Sequence, residues 1–142
     1  MSSVAIREIT AAETWPLRHE VMWPDKPFTY VQLPDDDQGH HYGVFENDRL
    51  VSVISLFING DLARFRKFAT LPACQRQGYG SRLLSHVMTQ AHALGATRIW
   101  CSARVEAAPF YEKFGMREVG DRFPYEGMPY VRMEMTFGSG SS

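Results

Sequence analysis

Apolar positions along this chain recur with two periods, and the places where the period changes mark its elements. Val4 to Thr10, VAIREIT, alternates apolar and polar side chains as a half-buried strand does. In AETWPLRHEVMW, residues Trp15, Leu17, Val21 and Met22 form a rough helical stripe, with Pro16 near the first turn. Residues 24–39 break the pattern. Pro24, Pro27, Pro34 and the acidic run Asp35 to Asp37 predict a long loop, and loops of that length in a small domain often bind ligands. HHYGVFENDRLVSVISLFI reads as two strands turning at Asn47-Asp48, a good hairpin pair. LARFRKFAT, Leu62 to Thr70, is another strand, ended by Leu71-Pro72. Leu83, Leu84, Val87, Met88, Ala91 and Leu94 then share one face of a helix that Gly95 stops. ATRIWCSA predicts a short apolar strand, AAPFYEKFG a short helix ended by Gly115, and VGDRFPYEGMPYVRMEMTF a closing hairpin.

The resulting order is β-α-β-β-β-α-β-α-β-β, without internal repeats. A strand, helix, strand succession in its middle implies a parallel pair joined by a right-handed crossover, so the expected class is a mixed α/β sheet. Residues 1–137 read as one domain. The terminal GSGSS, residues 138–142, reads as a flexible tail or cloning remnant.

Composition narrows the function classes. The 142 residues are 44% apolar, enough for one packed core. A net charge of −1 disfavours a nucleic-acid binder that relies on a broad basic surface, although a local basic patch is open because arginine far outnumbers lysine. The longest apolar run, LVSVISLFI, has nine residues, far short of the roughly 20 that span a bilayer. No secretory signal is evident before Arg7 and Glu8. Cys74 and Cys101 are too few for a disulfide framework or for a zinc site by themselves, and read as reduced thiols of a cytoplasmic protein.

One stretch resists a purely structural reading. CQRQGYGSRLL puts Gly78 and Gly80 where a helix must start, and each costs about 1 kcal/mol of helix propensity. A glycine turn running into a helix exposes backbone N–H groups that lack helical partners, and the helix dipole makes them an anion site. A plain tight turn explains the local pattern equally well. Two other phosphate motifs fail. QGYGSR lacks the lysine of a P-loop, and Leu83 stands where a dinucleotide fingerprint needs its third glycine.

QRQGYG, between a strand and an amphipathic helix, matches the Gln/Arg-x-x-Gly-x-Gly/Ala signature of the GNAT superfamily of acyl-CoA N-acyltransferases. APFYEKFGM downstream resembles the second motif of that family, and the strand order agrees along nearly the whole chain. Leu17, Arg18 and Val21 and the ending FPYEGMPYVRM resemble the ElaA-like branch, with Tyr130 where that branch has histidine. Arg104 stands where many members carry asparagine.

The resemblance implies a mostly antiparallel twisted sheet with a splayed parallel pair and flanking helices. It implies acetyl-CoA as cosubstrate and a primary amine of a small molecule or peptide as acceptor, attacking the thioester directly. A module that binds acyl-CoA without turnover is the alternative. The implied cofactor-binding residues are Phe68, Ala69 and Thr70 along a free strand edge, then Gln75, Arg76, Gln77, Gly78, Tyr79, Gly80 and Ser81 at the turn. Tyr111 matches the acid that serves the leaving thiolate, or is a core tyrosine between Phe110 and Phe114. Glu126 in the closing hairpin is the candidate base, against the plainer reading of an exposed turn residue. Trp23, Phe28 and Tyr30 are candidates for an acceptor pocket, or pack over the sheet edge. Arg18 would pair with an anionic group of the substrate or with a surface carboxylate. Asp35 to Asp37 read as a solvated loop rather than a metal site, and Glu46 and Asp48 as hairpin solvation. One of His40 and His41 should face inward as a satisfied structural histidine. Cys101 reads as a buried thiol with no neighbouring base. No metal, nucleic acid or membrane partner is expected, and the closing strands leave room for a homodimer.

Overall fold

In the computed structural model, which describes residues 3–137, the elements follow the predicted order. They are β1 (Val4–Ile9), α1 (Ala11–Met22), β2 (His40–Glu46), β3 (Arg49–Asn59), β4 (Leu62–Thr70), α2 (Tyr79–Ala93), β5 (Arg98–Arg104), α3 (Ala108–Glu112), β6 (Arg117–Tyr125) and β7 (Met128–Thr136). The predicted tail, residues 138–142, lies outside the described residues. The loop after α1 contains two short 3-10 turns, Phe28–Val31 and Asp36–Gln38.

Seven strands form one sheet in the order β1-β2-β3-β4-β5-β7-β6. Every pairing is antiparallel except β4 with β5. Asn47 and Asp48 turn the β2–β3 hairpin with φ of 52° and 66°, the left-handed pair that matches the twist of antiparallel strands. Glu126 and Gly127 repeat this device between β6 and β7, at φ 52° and 76°.

The helices cover opposite faces. Tyr42 of β2 meets His86 of α2, whereas its neighbour His41 bonds Ser55, which Arg18 of α1 also reaches. On α2, Leu83, Leu84, Val87 and Ala91 are fully buried. Each such Leu or Val contributes roughly 1.5–3 kcal/mol, which outweighs the propensity lost at Gly80. Leu94, placed on that face by spacing, is 44% exposed because the helix has already ended at Ala93.

The stripe on α1 has a different centre from the one its apolar residues suggest. Arg18 is neither at the surface nor free for substrate; it is fully buried. Its guanidinium donates to both carboxylate oxygens of Asp36 at 2.9 Å, to the Val31 carbonyl at 2.9 Å and to Ser55 Oγ at 2.8 Å. Asp36 is therefore not solvated. It also accepts from Trp15 Nε1 and from the Leu33 amide, each at 2.9 Å. Burial alone would raise the Asp36 carboxyl, but these hydrogen bonds and the Arg18 charge outweigh it and hold the group below the usual carboxylate range. His41 joins the cluster, with Nδ1 2.7 Å from Ser55 Oγ and Nε2 2.7 Å from the Asp36 carbonyl. It is the inward, satisfied histidine of the pair. The loop after α1 is thus fastened to the sheet by a buried polar network, and the same fastening sets where Trp23 and Tyr30 stand.

Candidate active site

The two long helices start differently. At α1, Thr10 Oγ1 accepts from the Glu13 amide at 3.2 Å and Glu13 accepts from the Thr10 amide at 2.8 Å, a complete capping box. At α2 the cap is Gly78, with φ 83° and no side-chain hydrogen bond. Arg82 N donates to the Gly78 carbonyl at 3.0 Å. Among the described residues the amides of Gln77 to Ser81 have no acceptor. Arg76, also left-handed at φ 65°, helps turn them outward. This is the donor set an anion needs, so the residues present fit a diphosphate.

Gly80 has a separate reason to be glycine. A Cβ there would stand 3.3 Å from Phe68 Cζ and 3.9 Å from Thr70 Oγ1. Gly80→Val is expected to push the Phe68 ring into the cleft and weaken coenzyme A binding about tenfold, roughly 1.4 kcal/mol. Calorimetric titration checks this, and an unchanged Kd would remove Phe68 from the cleft wall. The turn is also pinned from beneath. Tyr79 OH donates to Glu46 at 2.6 Å, so Glu46 is a tether for the turn rather than hairpin solvation.

The neighbouring strand opens. β4 and β5 pair only from Leu62–Arg98 to Arg64–Trp100. Beyond that a β-bulge sets in, because Arg66 faces Ser55 whereas Ala69 faces Val53, three steps on β4 against two on β3. Lys67 takes the bulge conformation at φ 57°. The bulge bends β4 away from β5, and the β5-facing edge of β4 from Arg66 to Thr70 loses its strand partner.

Two clefts meet in this gap. One, about 540 Å³, is lined by Phe68, Ala69, Thr70, Gln75, Arg76, Gly78, Gly80 and Ser81 with Phe110 and Tyr111. Of the predicted cofactor residues, only Gln77 and Tyr79 are absent from its wall. The second, about 320 Å³, lies on the α1 face between Trp23, Arg64, Arg66, Lys67, Phe123, Tyr125 and Tyr130. A passage of about 250 Å³ between β4 and β5 shares Phe68, Ala107 and Tyr111 with the first and Arg66, Lys67, Ser102 and Tyr130 with the second. Tyr111 therefore stands at the crossing. Its ring packs on Phe65 and Phe110, and burial pushes its phenol far above the ordinary value, with smaller contributions from Cys101 and Tyr130.

The other predicted residues divide. Trp23 lines the second cleft. Tyr30 packs on Trp23 and donates to Glu126, and that hydrogen bond, with burial and the carboxylate's charge behind it, pushes the Tyr30 phenol up to about 12. Phe28 packs on Trp15 and His19 instead. Glu126 lines neither cleft and sits at the exposed hairpin tip beside Tyr125. Cys101 is 2% exposed, and burial pushes its thiol up to about 12 despite Arg64 nearby, so it stays protonated. Pattern reading missed Arg64, Arg66 and Lys67. Their signal was present: alternation in LARFRKFAT puts Arg64 and Arg66 on one face of a central strand, where arginine is unusual.

Known proteins share both the sequence pattern and this architecture. Residues 17–137 match the profile of the Acetyltransferase (GNAT) domain. An uncharacterised N-acetyltransferase of Bacillus subtilis, YitI, is 27% identical over 132 residues, covering 87% of this chain and 89% of YitI. Among solved structures, Escherichia coli ElaA superposes with a TM-score of 0.78 at 18% identity, over 93% of this chain and 99% of its own. A GNAT acetyltransferase of Elizabethkingia anophelis, solved with acetyl-CoA bound, gives 0.74 at 17% identity over 94% and 98%. The uncapped glycine turn, the parted strands and the profile match thus agree, and the chain belongs to the GNAT family of acetyltransferases, enzymes whose cosubstrate is acetyl-CoA.

Proposed function

We propose that this enzyme acetylates a primary amine of a small molecule or peptide, with the acyl donor on the α2–α3 side of the sheet and the acceptor entering from the α1 side. The observation that carries the reading is Tyr111 in the wall of both the donor cleft and the passage that leads to the acceptor cavity. Amides of Arg76 to Ser81 hold the diphosphate. Gln75 walls the turn, its side chain tied to the Thr70 carbonyl at 3.1 Å. The open edge at Phe68, Ala69 and Thr70 holds the pantetheine arm, and an amide there polarises the thioester carbonyl.

Acetyl-CoA supplies an acyl carbon activated as a thioester; the amine forms the C–N bond there while the C–S bond breaks. Tyr111, protonated throughout the working range, donates a hydrogen bond to the departing sulfur. The acceptor must first lose a proton, because an alkyl ammonium with a pKa near 10.4 is neutral in roughly one molecule per 2,500 at pH 7, about 4.6 kcal/mol uphill. Glu126, at the exposed hairpin tip outside the cleft walls, receives that proton through water. Free-thiol release on mixing acetyl-CoA with a panel of amines tests the reading. Release with at least one amine is expected, and uptake of acetyl-CoA without release from any would leave a binding module.

A further inference from the structure

We propose that the acceptor is an amine carrying its own anionic group, a carboxylate or a phosphonate, which Lys67 and Arg66 receive beside Tyr111. This rests on the acyl-transfer reading and names the substrate class of the same site. Three observations carry it.

The walls of the passage and the acceptor cavity contain Arg64, Arg66, Lys67 and Arg104 and no carboxylate. An ammonium entering alone would meet cationic side chains with no carboxylate in the walls to offset them. The cations also differ in how well they are matched. Arg104 pairs with Glu106, and Arg66 is 3.9 Å from Asp35. Arg64 lies over the Trp100 ring at 4.3 Å. Lys67 takes part in no ion pair or side-chain hydrogen bond among the described residues. Burial, followed by the Arg66 and Arg18 charges, depresses its ammonium below the ordinary lysine range, against the weaker pull of Asp36 and Glu126. A group in that state is short of a counter-ion.

The backbone holds it there deliberately. Lys67 is a non-glycine residue at φ 57°, at the bulge that parts β4 from β5. A strained conformation retained at the lip of a site, on a side chain with no structural partner, points to use by a ligand. The cavity's remaining wall is aromatic, with Trp23, Phe123, Tyr125 and Tyr130, so the acceptor combines its amine and anion with an apolar body. A polyamine or a lysine-rich peptide does not meet this description.

The test uses matched pairs: each common amino acid against its amide, and aminoalkylphosphonates against the plain amines. Thiol release gives kcat/KM, and calorimetry on the coenzyme A-loaded protein gives affinity without turnover. The anionic member of the best pair is expected to win by about 10- to 100-fold, the range of a charge-assisted hydrogen bond. Lys67→Met should abolish that preference through KM while the half-saturating acetyl-CoA concentration stays put, and Lys67→Arg should retain it. A role confined to folding would move neither the pairwise preference nor its rescue by arginine. Carboxylate against phosphonate arms identify which anion is read. Better turnover or binding of neutral or dicationic amines, or a preference that survives Lys67→Met, overturns the proposal. Should Lys67→Met fail to fold, the pairwise preference of the parent and of Lys67→Arg decides alone. Anion binding that depends on Lys67 without thiol release would keep this inference and sink acyl transfer; thiol release without an anion preference does the reverse.

Discussion

Arg18→Met is expected to lower the unfolding free energy by about 3–5 kcal/mol, the cost of leaving one partner of a buried ion pair uncompensated. The methionine fills most of the space, so the loss measures charge rather than volume. Asp36 would keep its Trp15 and Leu33 donors but lose both guanidinium bonds. Urea unfolding at pH 7 checks the value, and a loss under about 1 kcal/mol would mean that the network contributes little beyond packing. Replacing both charges, Arg18→Met with Asp36→Leu, should recover part of the stability, because no bare charge remains. The pH dependence has a definite sign. The Asp36 carboxyl is depressed in the folded protein, so its stabilisation is fully present above the unfolded value of about 3.9 and drains away as pH falls through the lower folded value. Acid unfolding of the parent should therefore steepen below about pH 4, and the double substitution should flatten that limb.

Tyr111→Phe is expected to lower kcat about 100-fold, within the span of positioned acid–base groups, with little change in coenzyme A affinity. The phenylalanine keeps the contacts with Phe65 and Phe110 and removes only the hydroxyl. Because the phenol is pushed up by burial, it does not ionise across the working range, and the rate should climb with pH through deprotonation of the amine rather than fall through loss of the Tyr111 proton. Steady-state kinetics from pH 6 to 9, with calorimetry for coenzyme A, separates the two quantities; an unaltered kcat would withdraw the role. Glu126→Gln, by contrast, should slow the reaction most on the acid side, where the substrate's proton is hardest to remove, and leave the alkaline plateau near the parent's.

How much of this was legible in the chain depends on the range of the signal. The hairpin at Asn47-Asp48, the apolar face of α2 and the glycine turn were readable because each is decided within a few residues, by side-chain period or by the backbone conformations that particular residues tolerate. QRQGYG and APFYEKFGM added the family, and with it the expectation that Tyr111 stands beside the cleft the glycine turn lines. Arg18 was misread for the opposite reason. Its helical stripe looked incomplete, and only the approach of Asp36, which is 18 residues away, and Ser55, 37 residues away, shows that a charge fills the gap in the core. Glu46 was misread alike, its partner Tyr79 lying 33 residues on.

The amino-acid order by itself therefore determined the elements, the parallel pair and the uncapped glycine turn, since propensity, turn chemistry and unpaired helix amides are local properties. Only the tertiary structure decided where β4 leaves β5 and which charges face the opening. A single extra residue at Lys67–Phe68 resets the register, and with a side-chain period of two that one step chooses the face on which every following residue stands.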